Sequence, residues 1–117
     1  MSRTTQEVFD SHLLLTLDWD LQTDIETNYS PGCILLSSYG AFYGRKGIQN
    51  AFRILESQIP DADFLYKTKS VFGEIAFLEW QAESDDVYID DGADTYLIRE
   101  GKIIGQTIHY TLQKRQK

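Results

Sequence analysis

The stretch from residue 92 to residue 112 constrains the fold more than any other part of the chain. It has the pattern of two long strands joined at Glu100-Gly101. Glycine readily adopts the positive φ that a two-residue hairpin turn needs, so these two residues are a plausible loop. We therefore predict an antiparallel hairpin in which Arg99 faces Lys102.

Counting away from this turn predicts which side chains share one face of the sheet, because directly opposed residues project the same way and the pattern repeats every second residue. The predicted pairs are Ile98 with Ile103, Tyr96 with Gly105, Asp94 with Thr107 and Gly92 with His109. Asp94, Tyr96 and His109 would then lie together. An ionisable pair among apolar and aromatic groups is either the floor of a pocket or a satisfied part of a core.

The composition fits one globular domain spanning residues 1–117. The net charge of −7 disfavours nucleic acid and anionic membranes as partners, since both need clustered Lys and Arg. Apolar runs such as Leu13–Leu15 are far too short to span a membrane. A single cysteine, Cys33, and no signal-peptide pattern lead us to expect a cytoplasmic protein.

Three helices are predicted in the first half of the chain. Thr4 and Glu7 form a capping-box pattern at the start of the first helix, in which His12 and Trp19 follow the inner face. Asp20 is a good N-cap for a short second helix that ends before Pro31. A third helix is predicted over residues 45–59.

The remaining segments are predicted as strands and loops. Residues 33–38 are predicted to be a buried strand, and residues 39–44, rich in Gly and aromatics, a lid or rim. Strands follow over 64–72 and 75–84, with the register between them left open, and an acidic crossing over 85–91 leads into the hairpin. This order predicts an α+β fold with three N-terminal helices on one face of a curved, mostly antiparallel sheet.

Several motifs together resemble the SnoaL-like and ketosteroid-isomerase-like branch of the nuclear transport factor 2-like superfamily. They are the amphipathic first helix, Asp20-Leu21, Tyr29 before the first strand, residues 42–48 (FYGRKGI) and the pair of DTY at 94–96 with GKI at 101–103. The resemblance covers nearly the whole chain. It implies a cone-shaped α+β half-barrel that encloses a deep pocket, usually in a homodimer, with no cofactor.

The resemblance also implies roles for individual residues. In ketosteroid isomerases an Asp at the strand position of Asp94 stays protonated and donates a hydrogen bond to the oxyanion. The tyrosine that assists it falls on His12, and the catalytic base falls on Ser37, which cannot serve as a comparable base. The cyclase and dehydratase branches use Asp and His as acid and base, which makes Asp94 and His109 the candidate pair here, with His12 assisting.

The candidate ligand-binding residues, which are equally candidates for plain core, are Trp19, Tyr29, Ser37, Phe52, Trp80 and Tyr96. Each polar candidate could also have a purely structural role. Asp94 could cap a turn at Gly92-Ala93, His109 could be a sheet histidine bonded to a threonine, and His12 could be a packed boundary residue. No zinc, calcium or phosphate-loop spacing is present, so no metal is expected.

Two functions remain in competition at this point. One is a cofactor-independent isomerase, cyclase or dehydratase that acts on a small hydrophobic carbonyl compound. The other is a non-catalytic module that uses the same cavity to bind a small hydrophobic ligand, or that serves to dimerise. A structural dimer with a filled core is a third possibility.

Overall fold

Side-chain caps begin the first two helices where the sequence predicts them. The computed structural model describes residues 2–116 and contains three helices, α1 (Thr5–Leu17), α2 (Leu21–Asn28) and α3 (Gly44–Gln58). Thr4 and Glu7 form the reciprocal capping box of α1, and Asp20 accepts a hydrogen bond from the backbone of Thr23 at the start of α2.

Within residues 2–116, seven strands form a single, mostly antiparallel sheet. They are β1 (Tyr29–Ser37), β2 (Gly40–Tyr43), β3 (Asp63–Phe72), β4 (Ile75–Glu83), β5 (Val87–Arg99), β6 (Lys102–His109) and β7 (Gln113–Lys114). The strand order is β2-β1-β6-β5-β4-β3, with β7 paired to β5, and only the β1–β6 pairing is parallel. The predicted α+β class, with three helices before an antiparallel meander, is confirmed.

The helices cover one face of this sheet, here called the inner face. On β4 it carries Ala76, Leu78, Trp80 and Ala82, which the alternation predicted. The β3–β4 hairpin has a two-residue turn at Gly73-Glu74, and this turn sets the register that the sequence had left undecided. Among residues 2–116, no helix is both long enough and apolar enough to cross a membrane.

Three local predictions differ from the structure. The strand predicted to be buried alternates instead, because Cys33 and Leu35 face inward while Ile34 and Leu36 are half exposed. Residues 39–44, predicted to be a lid or rim, contain β2, which pairs with β1 and is the edge strand on that side of the sheet. The acidic segment over 85–91 already belongs to β5 from Val87 onward, with its carboxylates exposed.

The predicted pairing of the β5–β6 hairpin is right at the turn and wrong beyond it. Arg99 faces Lys102 and Ile98 faces Ile103 as expected, but Leu97 faces Gly105. One extra residue of β6, Ile104, bulges between these pairs and shifts every later partner by one.

The shift exchanges the faces of the outer half of β6. Asp94 therefore pairs with Ile108, Tyr96 pairs with Gln106, and His109 pairs with Ala93. Asp94 and Tyr96 point inward, whereas His109 points outward, so the predicted Asp94–His109 pair does not form.

A glycine in β5 makes room for the largest side chain of the inner face. Trp80 lies directly over Gly92, and a Cβ at residue 92 would come within 2.3 Å of the indole ring. Phe64 and Tyr110 pack against the same indole, so the ring has little space in which to move.

We expect Gly92→Ala to lower the free energy of unfolding by about 1–3 kcal/mol, because the new methyl group overpacks a filled region. Gly105→Ala is the matched control, since a Cβ there meets its nearest neighbour, Leu97, at an ordinary 3.8 Å. Denaturant unfolding of both variants measures the difference in their free energies of unfolding. Equal stability of the two variants would contradict the close contact between Gly92 and Trp80.

Candidate functional site

A continuous chain of hydrogen-bonded side chains crosses the space between the helices and the inner face. Local periodicity brings its members together, because α2 repeats every four residues and β5 every two. We call this chain the interior network, and its members are Arg3, His12, Asp24, Asn28, Tyr29, Trp80, Asp94, Tyr96 and Gln106.

One half of the interior network joins α1 to α2. His12 is buried on α1, and its Nδ1 lies 2.8 Å from Oδ2 of Asp24. Asn28 follows Asp24 by four residues and donates its side-chain N–H to Asp24 Oδ1 at 2.8 Å. Arg3 in turn donates to Asn28 Oδ1 at 2.8 Å, which links the buried groups to a cation near the surface.

The other half is centred on the carboxyl group of Asp94. Trp80 Nε1 donates to Asp94 Oδ1 at 2.7 Å. Gln106 Nε2 donates to Asp94 Oδ2 at 2.9 Å, and Tyr96 Oη lies 3.0 Å from the same oxygen. The Tyr29 hydroxyl donates to Gln106 Oε1. The carboxyl group therefore caps no turn, since Gly92 and Ala93 lie within β5.

The Tyr96 hydroxyl connects the two halves. Its oxygen lies 2.9 Å from His12 Nε2 and 3.0 Å from Asp94 Oδ2. An imidazole and a carboxyl group are thus separated by one hydroxyl. This arrangement can pass a proton between an acid and a base without either side chain moving.

Burial controls the electrostatics of the interior network. Asp94 is 5% exposed, and the loss of hydration raises the pKa of its carboxyl group, while hydrogen bonds from Trp80, Gln106 and Tyr96 act in the opposite direction. Burial and the neighbouring carboxylates raise the pKa values of Tyr29 and Tyr96 well above the usual range. Both hydroxyls therefore remain neutral donors at physiological pH.

An apolar cavity of about 60 Å³ lies against the interior network. That volume accommodates roughly two water molecules, at about 30 Å³ each, or a comparably small organic group. Its lining residues are His12, Thr16, Trp19, Leu21, Phe52, Leu55, Phe64, Tyr66, Leu78, Trp80, Asp94, Tyr96, Gln106 and Ile108. Burial raises the pKa of Tyr66 to about 12, and its hydroxyl lies 2.6 Å from Thr16 Oγ1.

The cavity gathers most of the residues that the sequence singled out. His12, Trp19, Phe52, Trp80, Asp94 and Tyr96 all line it. Tyr29 lies one step behind, bonded to Gln106. Ser37 lines a separate cavity of about 10 Å³, where its hydroxyl accepts a hydrogen bond from the backbone of Tyr39.

His109 lies outside this group of residues. Its side chain is 67% exposed on the opposite face of the sheet, and its Nε2 stands 3.9 Å from a carboxylate oxygen of Asp91. The extra residue at Ile104 is the physical reason, because it turns His109 outward. Gln106 occupies the inward position opposite Tyr96 instead.

Sequence reasoning missed four members of the interior network. Asp24 and Asn28 follow Leu21 and Ile25 by three residues each, which places both polar side chains beside an apolar helical stripe. That spacing was a usable signal for burial. Gln106 could not be found without knowledge of the bulge, and Arg3 precedes α1 in a segment with no regular structure and no periodicity.

No grouping of His, Cys, Asp or Glu within residues 2–116 is suited to hold a metal ion. The donors around Asp94 are N–H and O–H groups of Trp80, Gln106 and Tyr96, which suit a carboxyl group rather than a cation.

Comparison with known proteins defines the fold and leaves the chemistry open. No protein-family model and no curated protein sequence matches the chain. A nuclear transport factor 2-like protein of unknown function from Cytophaga hutchinsonii superposes with a TM-score of 0.75 at 10% identity, covering 95% of this chain and 93% of that one.

Two further structures have the same architecture. A candidate SnoaL-like polyketide cyclase from Mesorhizobium loti superposes with a TM-score of 0.74 at 13% identity, covering 92% of this chain and 100% of that one. A de novo designed protein with a curved β-sheet reaches 0.75 at 17% identity, covering 95% and 88%. The chain therefore has the nuclear transport factor 2-like fold of SnoaL-like proteins, as the sequence resemblance implied.

We expect Gln106→Leu to lower the free energy of unfolding by about 1–3 kcal/mol. The change leaves the buried Tyr29 hydroxyl without its acceptor and the Asp94 carboxyl group without one of its donors. Tyr29→Phe removes that hydroxyl. The double variant should therefore cost clearly less than the sum of the two single variants, as measured by denaturant unfolding. Additive losses would show that the two side chains are not coupled.

Proposed function

We propose that the protein is a cofactor-independent acid/base catalyst, of isomerase, cyclase or dehydratase type, for a small hydrophobic carbonyl compound. One observation carries the proposal. A buried carboxyl group with a raised pKa, Asp94, lies at an apolar cavity and is joined through one hydroxyl to a buried imidazole, His12. The candidate cyclase from Mesorhizobium loti shares the fold and supports the same class.

The proposed chemistry is proton transfer next to a carbonyl group. A neutral Asp94 carboxyl group can donate a hydrogen bond to a carbonyl oxygen, which stabilises the negative charge that develops on enolisation. His12 is the candidate base and acts through the Tyr96 hydroxyl, which lines the cavity 2.9 Å from His12 Nε2, since histidine exchanges protons near neutral pH. His109 has no part in this proposal, since its side chain lies on the other face of the sheet.

The proposed substrate site is the deep end of a cone-shaped pocket. Aromatic side chains in the wall suit a flat, apolar substrate; they include Phe52 and the edge-to-face pair of Trp19 and Phe64. A volume of about 60 Å³ admits only a small group unless these side chains move.

The competing proposal is a non-catalytic module for ligand binding or dimerisation. Every buried polar side-chain atom among the described residues already has a hydrogen-bond partner within the protein. Nothing in the cavity therefore requires a substrate to complete it. The designed protein with the same architecture also supports the view that this fold persists without a natural function.

Hydrogen–deuterium exchange at carbon tests the catalytic proposal directly. We expect the protein to accelerate exchange of the hydrogens next to the carbonyl group in a panel of small aromatic and alicyclic ketones, followed by proton NMR in D₂O. Asp94→Asn should slow this exchange by about 100-fold or more, since one positioned acid contributes about that much. Asp90→Asn, the same change at an exposed position of the same strand, should leave the rate unchanged.

Two outcomes separate the competing proposals. If wild type binds a ketone but exchanges none of its hydrogens, the protein is a binding module. If Asp94→Asn exchanges as fast as wild type, the acid lies elsewhere.

We also propose that the outer face of the sheet joins two copies of the chain. Directly opposed residues form two rows across six strands. The first row is Tyr43, Ile34, Gly105, Leu97, Ile75 and Phe72. The second row is Ala41, Leu36, Thr107, Thr95, Phe77 and Ser70.

Neither row carries a charge, although the chain has a net charge of −7. Phe72 is 91% exposed, and Ile34, Leu36 and Ile75 are about half exposed. Two copies can meet here without bringing like charges together, and burying apolar side chains favours the contact. Six strands span about 24 Å, close to the width of a standard interface of about 800 Å² per partner.

Ile34→Glu tests this interface, because it places a charge in the first row on each copy. We expect wild type to be a dimer by light scattering and Ile34→Glu to be a monomer. Leu14→Glu, the same kind of change on the exposed side of α1, should leave the dimer intact. A monomeric wild type at high protein concentration would contradict the proposal.

A further inference from the structure

Donor-only side chains, Arg3 at one end and Trp80 at the other, fix the positions of the hydrogens at the two ends of the interior network. Arginine can only donate hydrogen bonds, so the atom of Asn28 that faces Arg3 must be the amide oxygen. The Asn28 nitrogen then faces Asp24, and Asp24 Oδ1 must accept. The indole N–H of Trp80 fixes Asp94 Oδ1 as an acceptor in the same way.

The contacts at the Arg3 end fit a carboxylate at Asp24. Asp24 is fully buried, accepts from Asn28 on one oxygen, and has the Arg3 guanidinium one side chain away. A carboxylate at this position must accept on its second oxygen as well, and the atom there is His12 Nδ1 at 2.8 Å. His12 therefore carries a hydrogen on Nδ1.

Two arrangements of the remaining hydrogens satisfy every contact between His12 and Asp94. In the first, His12 is an imidazolium that donates through Nε2 to Tyr96, and Tyr96 donates to an Asp94 carboxylate. In the second, Asp94 is protonated and donates to Tyr96, and Tyr96 donates to a neutral His12 through Nε2. The first becomes the second when Nε2 passes its proton to the Tyr96 oxygen while Tyr96 passes its own proton to Asp94 Oδ2.

Both arrangements contain the same atoms and the same total charge. Asp24, His12 and Asp94 together carry one negative charge in each, because only the position of one proton changes. The other titratable groups that face this segment are the hydroxyls of Tyr29, Tyr66 and Tyr110, and burial raises the pKa of each, so they stay neutral.

We propose that Asp24 is the positioning residue of the site, and that with Asn28 and Arg3 it holds His12 in the Nδ1–H form, so that one proton is shared between His12 Nε2 and Asp94 through Tyr96. Asp24 touches neither the cavity nor a substrate and acts only through His12. Its role in catalysis rests on the proposed acid/base function, whereas the position of the protons is a property of the free protein.

Nitrogen-15 NMR of the histidine rings in the ligand-free, tag-free protein tests this arrangement. The chain has two histidines, and His109 is identified by its loss in His109→Gln. We expect wild-type His12 to carry a hydrogen on Nδ1. A wild-type ring with Nδ1 unprotonated would overturn the proposal without any further variant.

Asp24→Asn should move that hydrogen to the other ring nitrogen. Because Arg3 keeps the Asn28 nitrogen turned toward residue 24, the new amide must present its oxygen to Asn28 and its NH₂ to His12 Nδ1. Nδ1 then accepts, and His12 becomes neutral with its hydrogen on Nε2. A merely structural role would change stability and leave the ring unaltered.

Asp20→Asn is the matched control, because it makes the same change at the exposed N-cap of the same helix, where Asn caps equally well. We expect its His12 signals to equal those of wild type. An unchanged His12 ring in Asp24→Asn would overturn the positioning role. If the ring responds as expected but no ketone exchanges, the proposed function fails and the proton arrangement stands.

Discussion

The buried carboxyl group of Asp94 sets the requirements that the surrounding structure meets. A polar group removed from water costs free energy unless its hydrogen bonds are replaced. Donors from β4, β5 and β6 converge on Asp94, and the hydrogen bonds continue from there to α1 and α2. The helices are therefore held over the sheet by directional bonds as well as by apolar contact, which favours a single arrangement of the two layers.

Much of the fold follows from local sequence signals. The caps at Thr4 and Asp20, the apolar stripe of α3 and the alternation of β4 each depend on a few adjacent residues, and each is found where expected. The turn at Glu100-Gly101 is also local, and both of its residues have positive φ. These features needed no knowledge of the rest of the chain, and together they predicted the α+β class.

The site was less predictable because its geometry depends on one unpaired residue. Asp94 and Tyr96 share the inner face because they lie two residues apart on β5, which strand alternation alone predicts. The partner from β6 was wrong, because no feature of residues 102–109 reveals that Ile104 is skipped in the pairing. His12 was found from helical spacing, but its bond to Asp24 joins two helices and has no signature in either one.

The architecture itself says little about chemistry. A designed protein and natural proteins of different description share it at 10–17% identity. The interior of this chain is not fully apolar, because the interior network occupies part of it. Function in such a fold has to be argued from the cavity and its hydrogen bonds, as here from Asp94, Tyr96 and His12.

The bulge at Ile104 also decides which side chains of β6 reach the interior. If Ile104 were instead paired with Leu97, the turn and the Ile98–Ile103 pair would stay in place, but the two faces of the outer half of β6 would be exchanged. His109 would then enter the interior and Gln106 would leave it. A shift of register by one residue, with no substitution in β6, would thus replace an amide by an imidazole beside Asp94.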